Sequence, residues 1–137
     1  MNKCIVKRML PLGLCILLSF FLFGFAMQQN TTEQGLYIVS IDFTKAPVKV
    51  GNNSLKLFIG DHKSKAPLTQ KLDIEIVPWM PAHEHGTGNL PLIKELGKGT
   101  YAVEQLNLSM TGLWEIYIRI NKGKKGEDTA VFNVNVK

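Results

Sequence analysis

Apolar residues recur at every second position over most of the chain. The alternating apolar positions are Leu55, Leu57 and Ile59; Leu72, Ile74 and Ile76; Trp114, Ile116, Ile118 and Ile120; and Phe132, Val134 and Val136. A period of two is typical of β-strands with one face buried, and no window after residue 34 sustains a helical period. With an apolar opening strand from Tyr37 to Phe43, the pattern predicts an all-β domain over residues 35–137. Its expected form is an immunoglobulin-like antiparallel β-sandwich of about seven strands.

The start of the chain has the composition of an export segment. Three basic residues (Lys3, Lys7 and Arg8) precede an apolar run from Met9 to Phe25. Residues 1–26 are therefore expected to form a helical signal peptide or an uncleaved membrane anchor, which would touch the membrane directly. Residues 27–34 are polar, and we expect a flexible tether there. The domain is expected outside the cytoplasm, in the periplasm or on the extracytoplasmic face of the membrane.

Charge and cysteine content narrow the classes of function. Both cysteines, Cys4 and Cys15, precede residue 27, so the exported part has no thiol. Residues 27–137 carry 13 basic and 11 acidic side chains, which is too small an excess to indicate nucleic-acid binding. The sequence has no His-Glu-x-x-His motif, no phosphate-binding glycine loop and no persuasive catalytic triad. We therefore expect a module without enzymatic activity.

The stretch VPWMPAHEHGTG, residues 77–88, concentrates side chains that can bind a metal. Pro78 is expected to end the preceding strand, and strand character returns only near Leu90. His83 and His85 are two residues apart, so an extended backbone would place both imidazoles on one side, with Cα atoms about 7 Å apart. Met80 adds a thioether. Imidazole and thioether ligands suit copper, Cu(I) above all, better than calcium or magnesium.

A purely structural interpretation of the same residues stands beside the metal site. Loop histidines are common, and a Met such as Met80 or Met110 often fills a core. His62 is expected in a solvated hairpin turn. Glu84 could act as a ligand or a base, but in an extended segment it points away from its two neighbouring histidines.

Three blocks of sequence resemble a known family. They are WMPAHEHGT at 79–87, GKGTY at 97–101 and MTGLWEIYI at 110–118, in matching order and spacing. They look like the YtkA-like domain, a small exported sandwich related to the FixH-like proteins. The family elements correspond here to Met80, Pro81, His85 and Gly86; to Gly99 and Tyr101; and to Met110, Gly112 and Trp114. Many relatives have a second Met in the first block, where this chain has Ala82 and His83.

The resemblance implies a non-enzymatic envelope module, in some relatives linked to copper handling or cytochrome oxidase assembly. It brings Met110 into one candidate copper site with Met80, His83 and His85, because loops of a sandwich gather at its ends. The alternative is an interaction or structural module of the cell envelope with no metal, binding a membrane or envelope partner. Trp79 between its prolines, or the basic turn formed by Lys122, Lys124 and Lys125, would then be the docking surface.

Overall fold

The computed structural model of the protein describes residues 27–137. In this region the chain forms nine strands: β1 (Gln28–Thr31), β2 (Tyr37–Phe43), β3 (Gly51–Asp61), β4 (Ile74–Met80), β5 (His85–Gly86), β6 (Leu92–Gly97), β7 (Thr100–Leu108), β8 (Gly112–Ile120) and β9 (Asp128–Val136). The helical element is one short 3-10 turn, Pro81–His83. Across residues 27–137, no helix has the length and apolar character needed to cross a membrane. The signal or anchor helix expected over residues 1–26 lies outside the described residues.

The strands form two antiparallel sheets. One has five strands in the order β1-β2-β3-β7-β6, and the other has four in the order β5-β4-β8-β9. This order corresponds to that of a constant-type immunoglobulin domain. In the first sheet, β2, β3, β7 and β6 occupy the places of strands A, B, E and D. In the second sheet, β4, β8 and β9 occupy the places of strands C, F and G. The predicted all-β architecture of two antiparallel sheets is confirmed.

The period-two pattern correctly identified the side chains that fill the space between the sheets. In β8, Trp114, Ile116, Ile118 and Ile120 are all fully buried, while the residues between them are partly exposed. Their counterparts in the facing sheet are residues such as Leu57, which is also fully buried. Packing of the two inner faces produces one continuous core, so a single domain needs no disulfide.

The segment expected as a flexible tether, residues 27–34, contains strand β1 instead. Residues Gln28–Thr31 pair with β2, and the Asn30 side-chain amide donates a hydrogen bond to the Val131 carbonyl oxygen in β9 at 2.6 Å. All four residues of β1 are exposed, so backbone pairing holds this edge strand and side-chain burial does not. Polar composition therefore misled the prediction, and with β1 and the two-residue β5 the domain has nine strands where about seven were expected.

Strand β4 also runs further than the sequence indicated. We expected it to end at Val77, yet it continues through Pro78 to Met80. Pro78 faces β8 on one side, while on the other side β5 pairs only with Trp79 and Met80. At Pro78, β4 has no hydrogen-bonded neighbour on the side of β5. The N–H that proline lacks is therefore not needed for pairing with another strand there.

A buried aspartate fixes the chain between β1 and β2. Asp128, at the start of β9, is 1% exposed, and its carboxylate accepts hydrogen bonds from the backbone N–H groups of Gln34 at 2.9 Å and Leu36 at 3.1 Å. Burial by itself would raise the pKa of Asp128. Hydrogen bonds from the Thr32 hydroxyl and from the N–H groups of Gln34, Leu36 and Thr129 have the larger effect and hold the pKa below its ordinary 3.8. The charged form therefore stabilises the fold.

The variant Asp128→Ala is expected to lose about 2–3 kcal/mol of unfolding free energy at pH 7, because buried N–H donors are left without an acceptor. Since the folded-state pKa is lowered, this stabilisation is present above pH 3.8 and is lost as the pH falls through the folded value. Denaturant unfolding of both proteins from pH 7 to pH 3 should show the difference shrinking below about pH 4. A difference that stays constant over this range would contradict the role given to the carboxylate.

Candidate functional site

The candidate ligands gather at one end of the sandwich. Strands β4 and β7 end there, at Met80 and Leu108, and β8 begins there, at Gly112. Antiparallel pairing brings the connecting loops 44–50, 81–91 and 109–111 to this same end, which we call the rim. Met80, His83, His85 and Met110 are called the Met/His cluster.

The backbone of the His-containing loop is folded back on β4. After the 3-10 turn Pro81–His83, Glu84 adopts a left-handed conformation with φ 50° and its N–H donates to the Pro81 carbonyl oxygen at 3.3 Å. The chain then returns as β5, with His85 opposite Met80. The extended segment expected around the two histidines is thus wrong, because the reversal occurs between them.

The two imidazoles nevertheless lie side by side. The ring centroids of His83 and His85 are 5.9 Å apart, with an angle of 42° between the ring planes. Metal–nitrogen bonds to imidazole measure about 2.0–2.1 Å, so two rings on one ion have centroids roughly 6 Å apart or less. The separation is therefore compatible with both rings binding one ion.

His85 is held in a defined orientation by its neighbours. Its Nδ1 lies 3.0 Å from the Gly86 carbonyl oxygen, and its ring meets Trp114 edge to face at a centroid distance of 5.8 Å. A carbonyl only accepts hydrogen bonds, so this contact requires the proton on Nδ1 and leaves the lone pair on Nε2. A backbone carbonyl partner of this kind orients many metal-binding histidines.

The two methionines differ sharply in accessibility. Met80 is 3% exposed and belongs to the core, on the sheet face that it shares with His85. Met110 is 38% exposed, and its carbonyl oxygen accepts the Trp114 indole N–H at 3.0 Å. Met80 is therefore a core residue paired with His85, and Met110 lies in the exposed loop, where its carbonyl oxygen contacts Trp114.

The remaining candidate ligands lie elsewhere or lack partners. His62 is at the opposite end of the sandwich, where its Nδ1 lies 3.3 Å from the Lys65 ammonium nitrogen. Glu84 is exposed at the tip of the loop. Within residues 27–137, no three His, Cys, Asp or Glu side chains are placed to hold one ion. At the rim, the thioether sulfurs of Met80 and Met110 are therefore the further candidate donors beside the two imidazoles.

Trp114 is the aromatic residue of this region that the metal hypothesis overlooked. The sequence directed attention to Trp79, which instead lies on the outer sheet face beside Gly86 and is 37% exposed. Trp114 is fully buried, beside His85. A signal for this was present, because Trp114 is in phase with the inward-facing isoleucines of β8.

Two glycines permit the close packing of the rim. A Cβ on Gly86 would meet the Pro78 carbonyl oxygen at 2.9 Å, and one on Gly112 would meet the Met80 methyl at 3.0 Å. Larger residues would separate β5 from β4 at the first position and displace the Met80 side chain at the second. Both glycines therefore help to set the spacing within the Met/His cluster.

The basic turn at the other end is partly neutralised. Lys122 lies 3.3 Å from a Glu75 carboxylate oxygen, and Lys124 lies 2.7 Å from Asp73. The pKa of Asp73 is held below its ordinary value, chiefly by the hydrogen bond from Lys124. The pKa of Glu75 is likewise lowered, chiefly by the hydrogen bond from Arg119. The positive charge available to an acidic partner is smaller than the three lysines indicate.

Comparison with known proteins gives one match. A family model described as YtkA-like matches residues 33–119, which includes the whole rim and most of both sheets. No curated protein and no solved structure matches the chain.

Proposed function

The chain belongs to the YtkA-like family, and from the geometry of its rim we propose that it is an exported, non-enzymatic copper-binding module. Copper would be cargo, held at the Met/His cluster for storage, or for transfer to an envelope partner such as an oxidase under assembly. The immunoglobulin-like strand order would serve as a rigid scaffold for the rim loops.

The pair of adjacent imidazoles carries this proposal. Ring centroids 5.9 Å apart, together with the Nε2 lone pair of His85, support a site in which both imidazoles would donate nitrogen to one ion. Thioether sulfur supplies the soft third donor, which favours copper, and Cu(I) in particular, over oxygen-preferring cations. Met110 is the more accessible methionine, and the buried Met80, which pairs with His85, is proposed as a fourth donor that a rotation of its flexible side chain would deliver.

The composition of the exported part supports the same choice of ligands. Residues 27–137 contain no cysteine, so histidine and methionine are the soft ligands that remain outside the cytoplasm. A site built from them would bind copper without thiol oxidation, which is an advantage in an oxidising compartment.

Competition titration of the apo protein against chelators for Cu(I) and for Cu(II) tests the proposal. We expect one equivalent of Cu(I) to be bound, with an affinity that exceeds the affinity for Zn²⁺ measured in parallel. Elemental analysis of protein purified without a histidine tag provides an independent check. Weak, non-stoichiometric uptake of both copper ions would refute the proposal.

The variant Met110→Leu should separate the two oxidation states. We expect its Cu(I) affinity to fall about tenfold, or roughly 1.4 kcal/mol, because a soft donor is lost. Cu(II) affinity should change little, since that ion relies on the imidazoles. Leucine preserves the apolar volume, and the exposed position limits any effect on stability. Equal losses for both ions would remove Met110 from the ligand set.

The alternative is an interaction module without metal. The exposed Trp79 on the outer face of β4 favours it, because a half-exposed tryptophan is a common anchor at interfaces. A membrane-extract pull-down repeated with chelator distinguishes the two functions. Partner capture that is unchanged by copper removal, in a protein that binds no copper, would favour this alternative.

A further inference from the structure

The two ends of the sandwich differ in exposed apolar surface. In residues 27–137, nine large apolar side chains are exposed, and seven of them lie on the rim loops or within two residues of a strand end there. Trp79 lies next to the last residue of β4 and Leu92 begins β6; the other five are Met27, Val50, Leu90, Met110 and Leu113. Only Leu36 and Leu96 lie toward the opposite end. Clustering of exposed apolar residues at one end is typical of a docking surface.

Charged side chains show the reverse distribution. On the three rim loops the charged residues are Lys45, Lys49 and Glu84. The connections at the opposite end are far richer in charge, with the segments 61–65 and 121–128 carrying the sequences DHKSK and NKGKKGED. Lys137, which follows β9, also lies there, because its N–H donates to the Val48 carbonyl oxygen at 3.0 Å. The rim is thus the more apolar end of the domain, with three lysines against one glutamate.

The chain enters the domain at this same end. Gln28 pairs with Ile41, near the rim end of β2, so Met27 lies at the rim. Only Ala26 and Met27 separate the apolar run ending at Phe25 from the first residue of β1. Three residue steps span at most about 10 Å, so no tether is long enough to hold the rim away from that run.

We propose that residues 9–25 are retained as a membrane anchor and that the domain rests on the lipid surface with its rim facing the bilayer. The exposed apolar side chains of the rim enter the headgroup region, and Lys45 and Lys49 lie against anionic headgroups. The opposite, charged end faces the aqueous space. This seating does not require copper, but it would place the Met/His cluster beside membrane-embedded partners.

The loop with the two lysines offers room for a headgroup. A cleft of about 540 Å³ is lined there by Lys45, Pro47, Lys49, Val50 and Asn53, among others. Its walls combine cationic and amide groups with apolar side chains, which suits the boundary between headgroups and acyl chains. The cleft therefore adds a polar contact to the apolar seating of the rim.

Fluorescent labels on single cysteines test this orientation in the full chain. Cys4→Ser and Cys15→Ser remove the native thiols, so Leu90→Cys or Leu113→Cys places one label at the rim, and Lys125→Cys places a matched one at the opposite end. All three positions are exposed, which limits effects on folding. The protein is reconstituted in nanodiscs containing phosphatidylglycerol, with a quencher attached to the lipids near the headgroups.

We expect both rim labels to be quenched at least about twofold more strongly than the label at position 125, since rim residues would lie within ~5–10 Å of the acyl boundary. Lys45→Glu with Lys49→Glu should weaken that quenching.

Equal, weak quenching at all three positions would overturn the seating. Rim labels shielded from an aqueous quencher but not reached by the lipid quencher would also overturn it, and would indicate contact with a second copy of the chain. Cleavage after Ala26, found by N-terminal sequencing of membrane-derived protein, would overturn the retained anchor.

Discussion

Replacing both His83 and His85 by alanine is expected to reduce Cu(I) affinity at least about 100-fold, or roughly 2.8 kcal/mol. The two imidazoles are the only nitrogen ligands in the proposed site, and their rings lie 5.9 Å apart. After their removal Met110 is the one exposed donor of the Met/His cluster, because Met80 is 3% exposed. A single thioether does not hold copper against a competing chelator.

His62→Ala is the matched control for this experiment. It removes the third and last histidine of the chain, which lies at the opposite end of the sandwich beside Lys65. Copper affinity should be unchanged in this variant. Thermal unfolding should show that both variants remain folded, since His62 and His83 lie outside the strands and His85 lies in the two-residue edge strand β5. Retention of full affinity by the double variant would eliminate the Met/His cluster as the copper site.

Gly99→Ala is expected to lower the free energy of unfolding by at least about 4 kcal/mol, which is an exceptional effect for one methyl group. Gly99 has φ +68°, and a Cβ there would overlap the Ile59 carbonyl oxygen, a backbone atom that has little freedom to move. The Gly99 carbonyl oxygen also accepts a hydrogen bond from the Ile59 N–H at 2.8 Å, so displacement of the turn weakens this link between β3 and β7. The expected fall in melting temperature is roughly 20 °C.

Gly97→Ala separates the steric overlap from the cost of the backbone conformation. Gly97 also has a positive φ, +91°, but a Cβ there would meet nothing within 4 Å. We therefore expect a loss of only about 1–2 kcal/mol, the usual cost of a side chain in this region. Equal melting temperatures for the two variants would show that contact with Ile59 is not what requires glycine at position 99.

These predictions divide the family motifs by role. Gly99 and Tyr101 lie far from the Met/His cluster, and their contribution is to the packing of β3 against β7. The elements containing Met80, His85 and Met110 converge on Trp114 at the rim. One motif therefore maintains the sandwich, while the other two build the proposed site.

Much of the fold could be predicted because burial leaves a mark on the sequence. The isoleucines of β8 alternate with polar and half-exposed residues, and this alternation correctly places them in the core. Strand β1 has no alternating apolar pattern, because its side chains are exposed on both faces and only backbone pairing with β2 forms it. The passage of β4 through Pro78 depends on how far β5 extends, which is a tertiary feature.

The candidate site was predictable in composition but not in arrangement. The sequence spacing correctly predicted that His83 and His85 lie close together. It predicted this from an extended backbone, whereas in the structure the chain reverses between them at Glu84, which has a left-handed conformation. Spacing gave no means of ranking Met80 against Met110, because burial of one and exposure of the other follow from the end of β4 and the start of β8. The position of Trp114 beside His85 is likewise a consequence of sheet pairing.

X-ray absorption spectroscopy of the Cu(I)-loaded protein tests the central claim most directly, because it reports the atoms bonded to the metal. The proposed site predicts a mixed first shell of about two imidazole nitrogens near 2.0 Å together with thioether sulfur, and loss of the nitrogen contribution in the His83→Ala/His85→Ala variant. A first shell without imidazole, or a spectrum identical in the wild type and that variant, would contradict it.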